Sequence, residues 1–166
     1  NNYKKSPTPL HYCNDINIIG SDFYIMERIR GTVLRSNNFK KILTSKIQYD
    51  FIASEFVDTF VELHKLEIEK IGLSEFGRPV GYCERQVMGW TKRYQNSKTH
   101  EIPEINFVIN WLINNITESS YVSLIHNDFK YDNLVLDSKT LSVKSVLDWE
   151  MCTTGDPFMD LGTTLA

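Results

Sequence analysis

Read for its alternation of apolar and polar positions, the chain divides into an extended start, a helical middle and a finely broken end. Residues 16–19 (Ile-Asn-Ile-Ile) and 23–29 (Phe-Tyr-Ile-Met-Glu-Arg-Ile) are rich in β-branched and aromatic side chains. Gly20-Ser21-Asp22 lies between them, which predicts a hairpin with its turn at those residues. Arg30-Gly31 breaks the second strand. From 48 to 68 the period changes. Phe51, Ile52, Phe56, Phe60, Leu63 and Leu66 recur at helical spacing and form one apolar stripe. Gly72 closes that region, and a polar connection follows through Gly77, Pro79 and Gly81. A second helix is expected over 83–95, carrying Val87, Trp90 and Tyr94. A third begins at Pro103, with Ile105, Val108, Ile109, Leu112 and Ile116 on its apolar face.

Beyond residue 120 the apolar runs shorten. Tyr121 to Ile125 reads as a strand leading into His126. Leu134 to Leu136 and Val143 to Leu147 read as two more, with Asp137, Ser138 and Lys139 at the turn between them. Asp156 is placed to cap a last helix, with Pro157 at its first position. The expected class is α+β.

Composition narrows the partners. The chain has 166 residues, 42% of them hydrophobic, enough for a core. Lys and Arg number 18 against 21 Asp and Glu, a formal charge of −3, which argues against a general nucleic-acid binder. An aromatic content of 12% argues against disorder. No apolar run approaches the roughly 18–20 residues of a membrane span. Cys13, Cys83 and Cys152 are far apart and form no C-x-x-C pair, so reduced thiols in a cytoplasmic compartment are expected. The stretch to Pro9 lacks the apolar core of a secretory signal. The first residue is Asn1 and the last six are Leu-Gly-Thr-Thr-Leu-Ala, so both ends read as cut. Organelle targeting therefore stays an open alternative.

The chemistry sits near the end. His126-Asn127-Asp128-Phe129-Lys130-Tyr131-Asp132-Asn133 matches H-x-D-x-x-x-x-N, the catalytic-loop pattern of kinases. Phosphoryl transfer needs a carboxylate to orient the attacking hydroxyl, and oxygen ligands for Mg²⁺ on the phosphates. Asp128 is the candidate base. Asn133 can offer a neutral oxygen to the metal, and Asp148, in Leu147-Asp148-Trp149-Glu150, a charged one. The short hairpin between them can return the chain to the same place. Lys130 can meet a transferring phosphoryl group as a point charge. Plainer roles are expected for their neighbours. His126 holds the loop by hydrogen bonds, Asp132 caps, and Glu150 and Asp160 bond locally. His64 packs on the long helix. Trp90 and Trp111 are expected in core or rim packing.

These residues resemble the aminoglycoside phosphotransferase superfamily, in HNDFKYDNLV (126–135), LDWE (147–150) and GDPFMDLG (155–162). The stretch 71–93 (IGLSEFGRPVGYCERQVMGWTKR) resembles the branch associated with acyl-CoA dehydrogenases, and Phe23 to Glu27 followed by Gly31 resembles its strand and hinge. The resemblance covers about residues 14–166. It implies a protein-kinase-like fold, with residues 1–30 a remnant of the N-terminal lobe and hinge. Residues 31–166 would then be a partial, mostly helical C-terminal lobe. It implies ATP and Mg²⁺ as cofactors, Asp128 as base, and Asn133 and Asp148 as metal ligands. Lys130 would lie near the phosphates or acceptor, the backbone around Glu27 and Ile29 would hold adenine, and Asp160 would stabilise the catalytic loop. It further implies a small-molecule hydroxyl as acceptor, some relatives acting on hydroxyacyl-CoA substrates, and an acyl-CoA dehydrogenase domain as partner in a full-length protein.

The pattern departs from a complete member. None of the eight glycines forms G-x-G-x-x-G, and no strand-borne lysine precedes Tyr24 in the expected context. The chain is thus expected to be the middle of a larger enzyme. The competing expectation is a truncated, non-catalytic kinase homologue that binds nucleotide or a partner. A phosphohydrolase using His126, Asp128 and Asp148 is a weaker third, since no second histidine ligand lies nearby.

Overall fold

A computed structural model describes residues 3–117 and 119–166. In chain order the elements are β1 (Pro9–Cys13), α1 (Ile16–Ile19), β2 (Phe23–Met26), α2 (Phe39–Ile42), α3 (Lys46–His64), α4 (Tyr82–Ser97), α5 (Pro103–Asn114), β3 (Ser123–Ile125), β4 (Leu134–Leu136), β5 (Val143–Val146), β6 (Thr153–Gly155) and α6 (Pro157–Leu165). Single 3₁₀ turns cover Tyr131–Asn133 and Trp149–Met151. The class is α+β, as expected. The chain divides into two compact units, one formed by residues up to Leu66 with Asp128–Met151, the other by Glu67–Asn127 with Cys152–Ala166.

In the first unit β1 and β2 pair antiparallel, with Cys13 opposite Phe23 and Tyr12 opposite Tyr24. The expected strand over 16–19 is instead the helical turn α1. Asp15 caps it by accepting from the Asn17 N–H at 2.9 Å, and Gly20 ends it in the left-handed conformation at φ +90°. Those two caps outweigh the β preference of three isoleucines. The second strand ends at Met26 rather than Ile29. Helix α3 opens on a capping box: Ser45 accepts from the Gln48 N–H, and the Gln48 side chain accepts from the Ser45 N–H. Its buried face is Ile52, Thr59, Phe60 and Leu63. The helix stops at His64, so Leu66 and Ile68 lie in the following turns. His64 packs on the Phe60 ring at 4.1 Å.

Strands β4 and β5 form the expected hairpin, Leu134 opposite Val146 and Val135 opposite Ser145. The Asp137 carboxylate closes its turn by accepting from the N–H groups of Lys139 and Thr140, both at 2.9 Å. Both hydrogen bonds hold the Asp137 carboxyl below the usual carboxylate range. The segment after β2 is bridged to this hairpin. Thr32 and Leu136 exchange N–H···O bonds, each at 2.8 Å. Gly31 lies so close that an added Cβ would stand 2.2 Å from the Leu136 carbonyl oxygen.

In the second unit β3 and β6 pair antiparallel, Ser123 opposite Gly155 and Ile125 opposite Thr153. All three residues of β3 are buried. Tyr121 and Val122 precede the strand rather than belonging to it. Helices α4 and α5 neighbour one another. Pro103 starts α5 as expected, but Asn115 ends it before Ile116, and none of its residues is buried. Trp90 and Trp111 are 60% and 56% exposed, which places them outside the core; Arg93 covers the Trp90 ring at 4.7 Å. Asp156 caps α6, accepting from the Phe158 N–H at 2.8 Å with Pro157 following. No helix among the described residues is long and apolar enough to cross a membrane.

Candidate functional site

The loop from Asp128 to Asn133 is anchored by its aromatic residues. Phe129 is 1% exposed and meets the α3 rings of Phe56 at 4.8 Å and Phe60 at 5.0 Å. Tyr131 adds a second contact to Phe56 at 4.5 Å. Burial of Phe129 supplies a hydrophobic anchor on the order of 2 kcal/mol or more. The polar residues on either side of Phe129 are thereby fixed to a rigid helix.

Asp128 is half-buried and gathers two of the expected residues around it. The Lys130 ammonium lies 2.7 and 2.9 Å from its two carboxylate oxygens. The Asn133 amide nitrogen donates to its Oδ2 and to its main-chain carbonyl, both at 2.9 Å. The hydrogen bond to Asp128 is the largest reason that Lys130 holds its proton above the ordinary lysine range, and the charges of Asp128, Asp132 and Asp148 add to it. One cation thus sits in the field of three carboxylates. Asn133 is buried, and with its nitrogen committed twice the amide oxygen is the end left to face a cation.

Asp148 follows β5 and is exposed. The Leu147 N–H donates to the Asn133 main-chain carbonyl at 2.8 Å, so the two candidate ligand segments are hydrogen-bonded through adjacent backbone. Asp148 has φ +67°, a left-handed conformation rare for a residue with a Cβ. No group of three His, Cys, Asp or Glu among the described residues is arranged to hold a metal. The candidate ligands Asn133 and Asp148 offer an amide oxygen and a carboxylate, the hard oxygen donors that Mg²⁺ takes together with water and phosphate.

Glu27 and Ile29, the residues expected at a hinge, lie just past β2. The Glu27 N–H is occupied by the Thr8 carbonyl at 2.9 Å, while its carboxylate accepts from the Thr8 N–H at 2.8 Å and hydroxyl at 2.9 Å. Those bonds hold the Glu27 carboxyl below its ordinary range. The Glu27 N–H is thus already taken within the chain. A cleft of about 210 Å³ adjoins β2, lined by Tyr24, Met26, Pro7, Trp149 and Glu150. The Trp149 indole donates to the Val146 carbonyl at 2.8 Å and meets Tyr3 edge-on. A larger cavity of about 490 Å³ borders the loop. Leu34, Phe39, Leu43 and Ile52 give it apolar surface, and Arg35, Lys130 and Asp132 bring charge to its lining.

In the second unit His126 is fully buried, and Asp160 receives the backbone. Its carboxylate accepts from the His126 N–H at 2.8 Å and the Asn127 N–H at 2.7 Å. Asp160 is itself fully buried on α6.

Sequence reasoning missed Phe56, Phe60 and Phe129 as supports, Thr8 as the partner of Glu27, and Tyr82, whose hydroxyl lies 3.0 Å from the Asn127 side-chain oxygen. Phe129 carried one signal, an apolar residue inside an otherwise polar loop. The others depend on pairing across long separations.

The chain is similar to known proteins over nearly its whole length. The phosphotransferase enzyme family matches residues 4–166. Over 156 residues the chain is 41% identical to acyl-CoA dehydrogenase family member 11 of Rattus norvegicus, covering 93% of this chain and 20% of that protein. Over 155 residues it is 34% identical to acyl-CoA dehydrogenase family member 10 of Mus musculus, covering 93% of this chain and 14% of that protein. The chain thus spans a fifth or less of these relatives. A Ralstonia eutropha crystal structure assigned as an aminoglycoside phosphotransferase superposes with a TM-score of 0.84 and 32% identity, over 96% of this chain and 48% of that one. A streptomycin–ATP ternary complex of the phosphotransferase APH(2″)-IIa shares the fold, with a TM-score of 0.62 and 17% identity over 93% of this chain and 50% of that one. With nearly the whole chain matched, and its fold shared with aminoglycoside kinases, this protein belongs to the phosphotransferase enzyme family.

Proposed function

We propose that this chain carries the catalytic loop of an ATP- and Mg²⁺-dependent phosphotransferase that phosphorylates a hydroxyl of a small molecule. The observation that supports it most is the convergence of Lys130 and Asn133 on Asp128, hydrogen-bonded through Asn133 to the segment bearing Asp148. In this reading residues 1–30 are the end of an N-terminal lobe and its hinge, and residues 31–166 belong to the catalytic lobe.

Asp128 orients the acceptor hydroxyl and takes its proton as the oxygen attacks. Asn133 fixes the Asp128 carboxylate through its nitrogen and presents its oxygen to the cation. Asp148 supplies the charged ligand. Lys130 neutralises Asp128 at rest and is placed to turn toward the transferring phosphoryl group. Bound Mg²⁺ supplies charge neutralisation on the nucleotide phosphates. The Glu27 carbonyl and Ile29 N–H hold adenine.

The acceptor's body fits the 490 Å³ cavity beside Lys130. Leu34, Phe39, Leu43 and Ile52 offer apolar surface to an aliphatic chain, beside the charged Arg35, Lys130 and Asp132. Together with relatives named for acyl-CoA dehydrogenase, this favours a hydroxyacyl-CoA acceptor and a dehydrogenase domain in the full-length protein.

The test is Asp128→Asn in the full-length protein. Loss of phosphoryl transfer from Mg-ATP with the melting temperature kept supports the assignment. Turnover near wild type overturns it. Tight Mg-ATP binding by a wild type that never turns over supports the non-catalytic homologue instead.

A further inference from the structure

The residue that immediately precedes Asp128 is held in an unusual way. Asn127 has φ +64°. The left-handed region disfavours L-residues by roughly 1–2 kcal/mol, though less for asparagine. Asp160 and Tyr82 hold it there from opposite ends. Asp160 takes its backbone N–H at 2.7 Å, and the Tyr82 hydroxyl donates to its side-chain oxygen at 3.0 Å.

Tyr82 is itself tightly placed. It is 7% exposed, and its ring lies over Gly155 of β6. A Cβ on Gly155 would stand 3.2 Å from the ring carbons and 2.7 Å from the end of Ile125, so glycine lets the ring sit close over β6. Burial is the main reason that the phenol holds its proton above the ordinary tyrosine range, which keeps it a donor. The next residue is tethered too, the Cys83 thiol donating to Asp156 at 3.5 Å. The first turn of α4 is therefore pinned at two successive residues. Asn127 supplies the last soft torsions before Asp128, since each residue offers only φ and ψ.

We propose that Tyr82 is a positioning residue for phosphoryl transfer: its hydroxyl, seated by Gly155, holds Asn127 in the left-handed turn from which Asp128 issues. The inference rests on the function proposed above. Its chemistry is general, because misplacement of a catalytic group by about 1 Å can cost on the order of a hundredfold in rate. Its hydroxyl acts through Asn127, so its effect belongs in turnover and not in nucleotide affinity.

The test is Tyr82→Phe in the full-length protein, which keeps the ring and removes the hydroxyl. Two readouts are taken. In hydrogen-exchange mass spectrometry the peptide covering 126–133 is expected to exchange about tenfold faster, with α3 unchanged. In ADP release from Mg-ATP, kcat is expected to fall about tenfold with KM for Mg-ATP unchanged. Adding Tyr82→Phe to Asn127→Ala should change neither readout further, and Asn127→Ala alone should reproduce the exchange result should Tyr82→Phe not fold. Unchanged exchange at 126–133, a KM effect without a kcat effect, or full additivity of the two substitutions overturns the proposal. A wild type that neither binds nor hydrolyses Mg-ATP, with faster exchange in Tyr82→Phe, overturns the phosphotransfer reading and leaves the loop-holding role of Tyr82 supported.

Discussion

Asn133 grips Asp128 twice, through one amide nitrogen that donates to both its carboxylate and its main-chain carbonyl at 2.9 Å. The same side chain thus sets the rotamer of the candidate base and the path of the loop. Asn133→Ala is expected to reduce phosphoryl transfer by at least a hundredfold. It should also lower stability by about 1–2 kcal/mol, because buried hydrogen-bonding groups lose their partner. Chemical denaturation and an ADP-release assay check the two effects separately. A variant with full activity would remove Asn133 from the site.

Lys130 and Asp128 form an ion pair whose side chains are 52% and 31% exposed. Solvent screens such a pair, so Lys130→Met is expected to change stability by less than about 1 kcal/mol. Turnover should fall much further. The sign of the pH effect follows from the raised lysine value. Any stabilisation is complete below the ordinary lysine pKa and is lost only as pH rises through the higher folded one. Melting temperatures of wild type and Lys130→Met should therefore differ by a constant amount between pH 6 and 9. A difference that grows across that window contradicts the pairing.

Gly31 has no room for a side chain, since a Cβ would meet the Leu136 carbonyl oxygen at 2.2 Å and the Val135 side chain at 2.6 Å. Gly31→Ala must separate the segment after the hinge from β4 and strain the Thr32–Leu136 bridge. A loss of about 1–3 kcal/mol is expected, the usual range for overpacking. Urea denaturation measures it, and an unchanged midpoint would show that the approach is looser.

Cys152 and Cys13 are both half-buried, so what sets Cys152 apart is chemical. Burial first, and then the Asp160 charge, push its thiol up to about 12. Only the thiolate reacts with iodoacetamide. At pH 8 native protein should be alkylated at the half-exposed Cys13 while Cys152 stays unmodified. Denatured protein should be modified at both. Peptide mass mapping reads the pattern, and rapid native labelling of Cys152 would contradict it.

What the sequence disclosed was largely what lies close together along it. Asp128, Lys130 and Asn133 were legible because they share one loop, while the pairing of Lys130 and Asn133 with Asp128 emerges only in the structure. Helix α3 was legible because its apolar stripe repeats at helical spacing. The turn at Asp137 and the cap at Asp156 were legible because each side chain bonds to the backbone two residues on. Ile16–Ile19 was misjudged because two caps decide its conformation, and propensity cannot weigh them. Tyr82 with Asn127, and Phe129 with Phe60, lie 45 and 69 residues apart in sequence. No local pattern encodes such pairs. The strand β6 escaped notice because three residues, two of them threonines, are too short a run to alternate.

The left-handed backbone at Asp148 bears on how this protein tolerates change. Glycine would accept φ +67° with no steric objection, and asparagine nearly so. A laboratory selection that rewards only heat resistance would therefore drift away from aspartate at this position. The most robust survivors of such a campaign would be those that had surrendered the carboxylate proposed as a cation ligand.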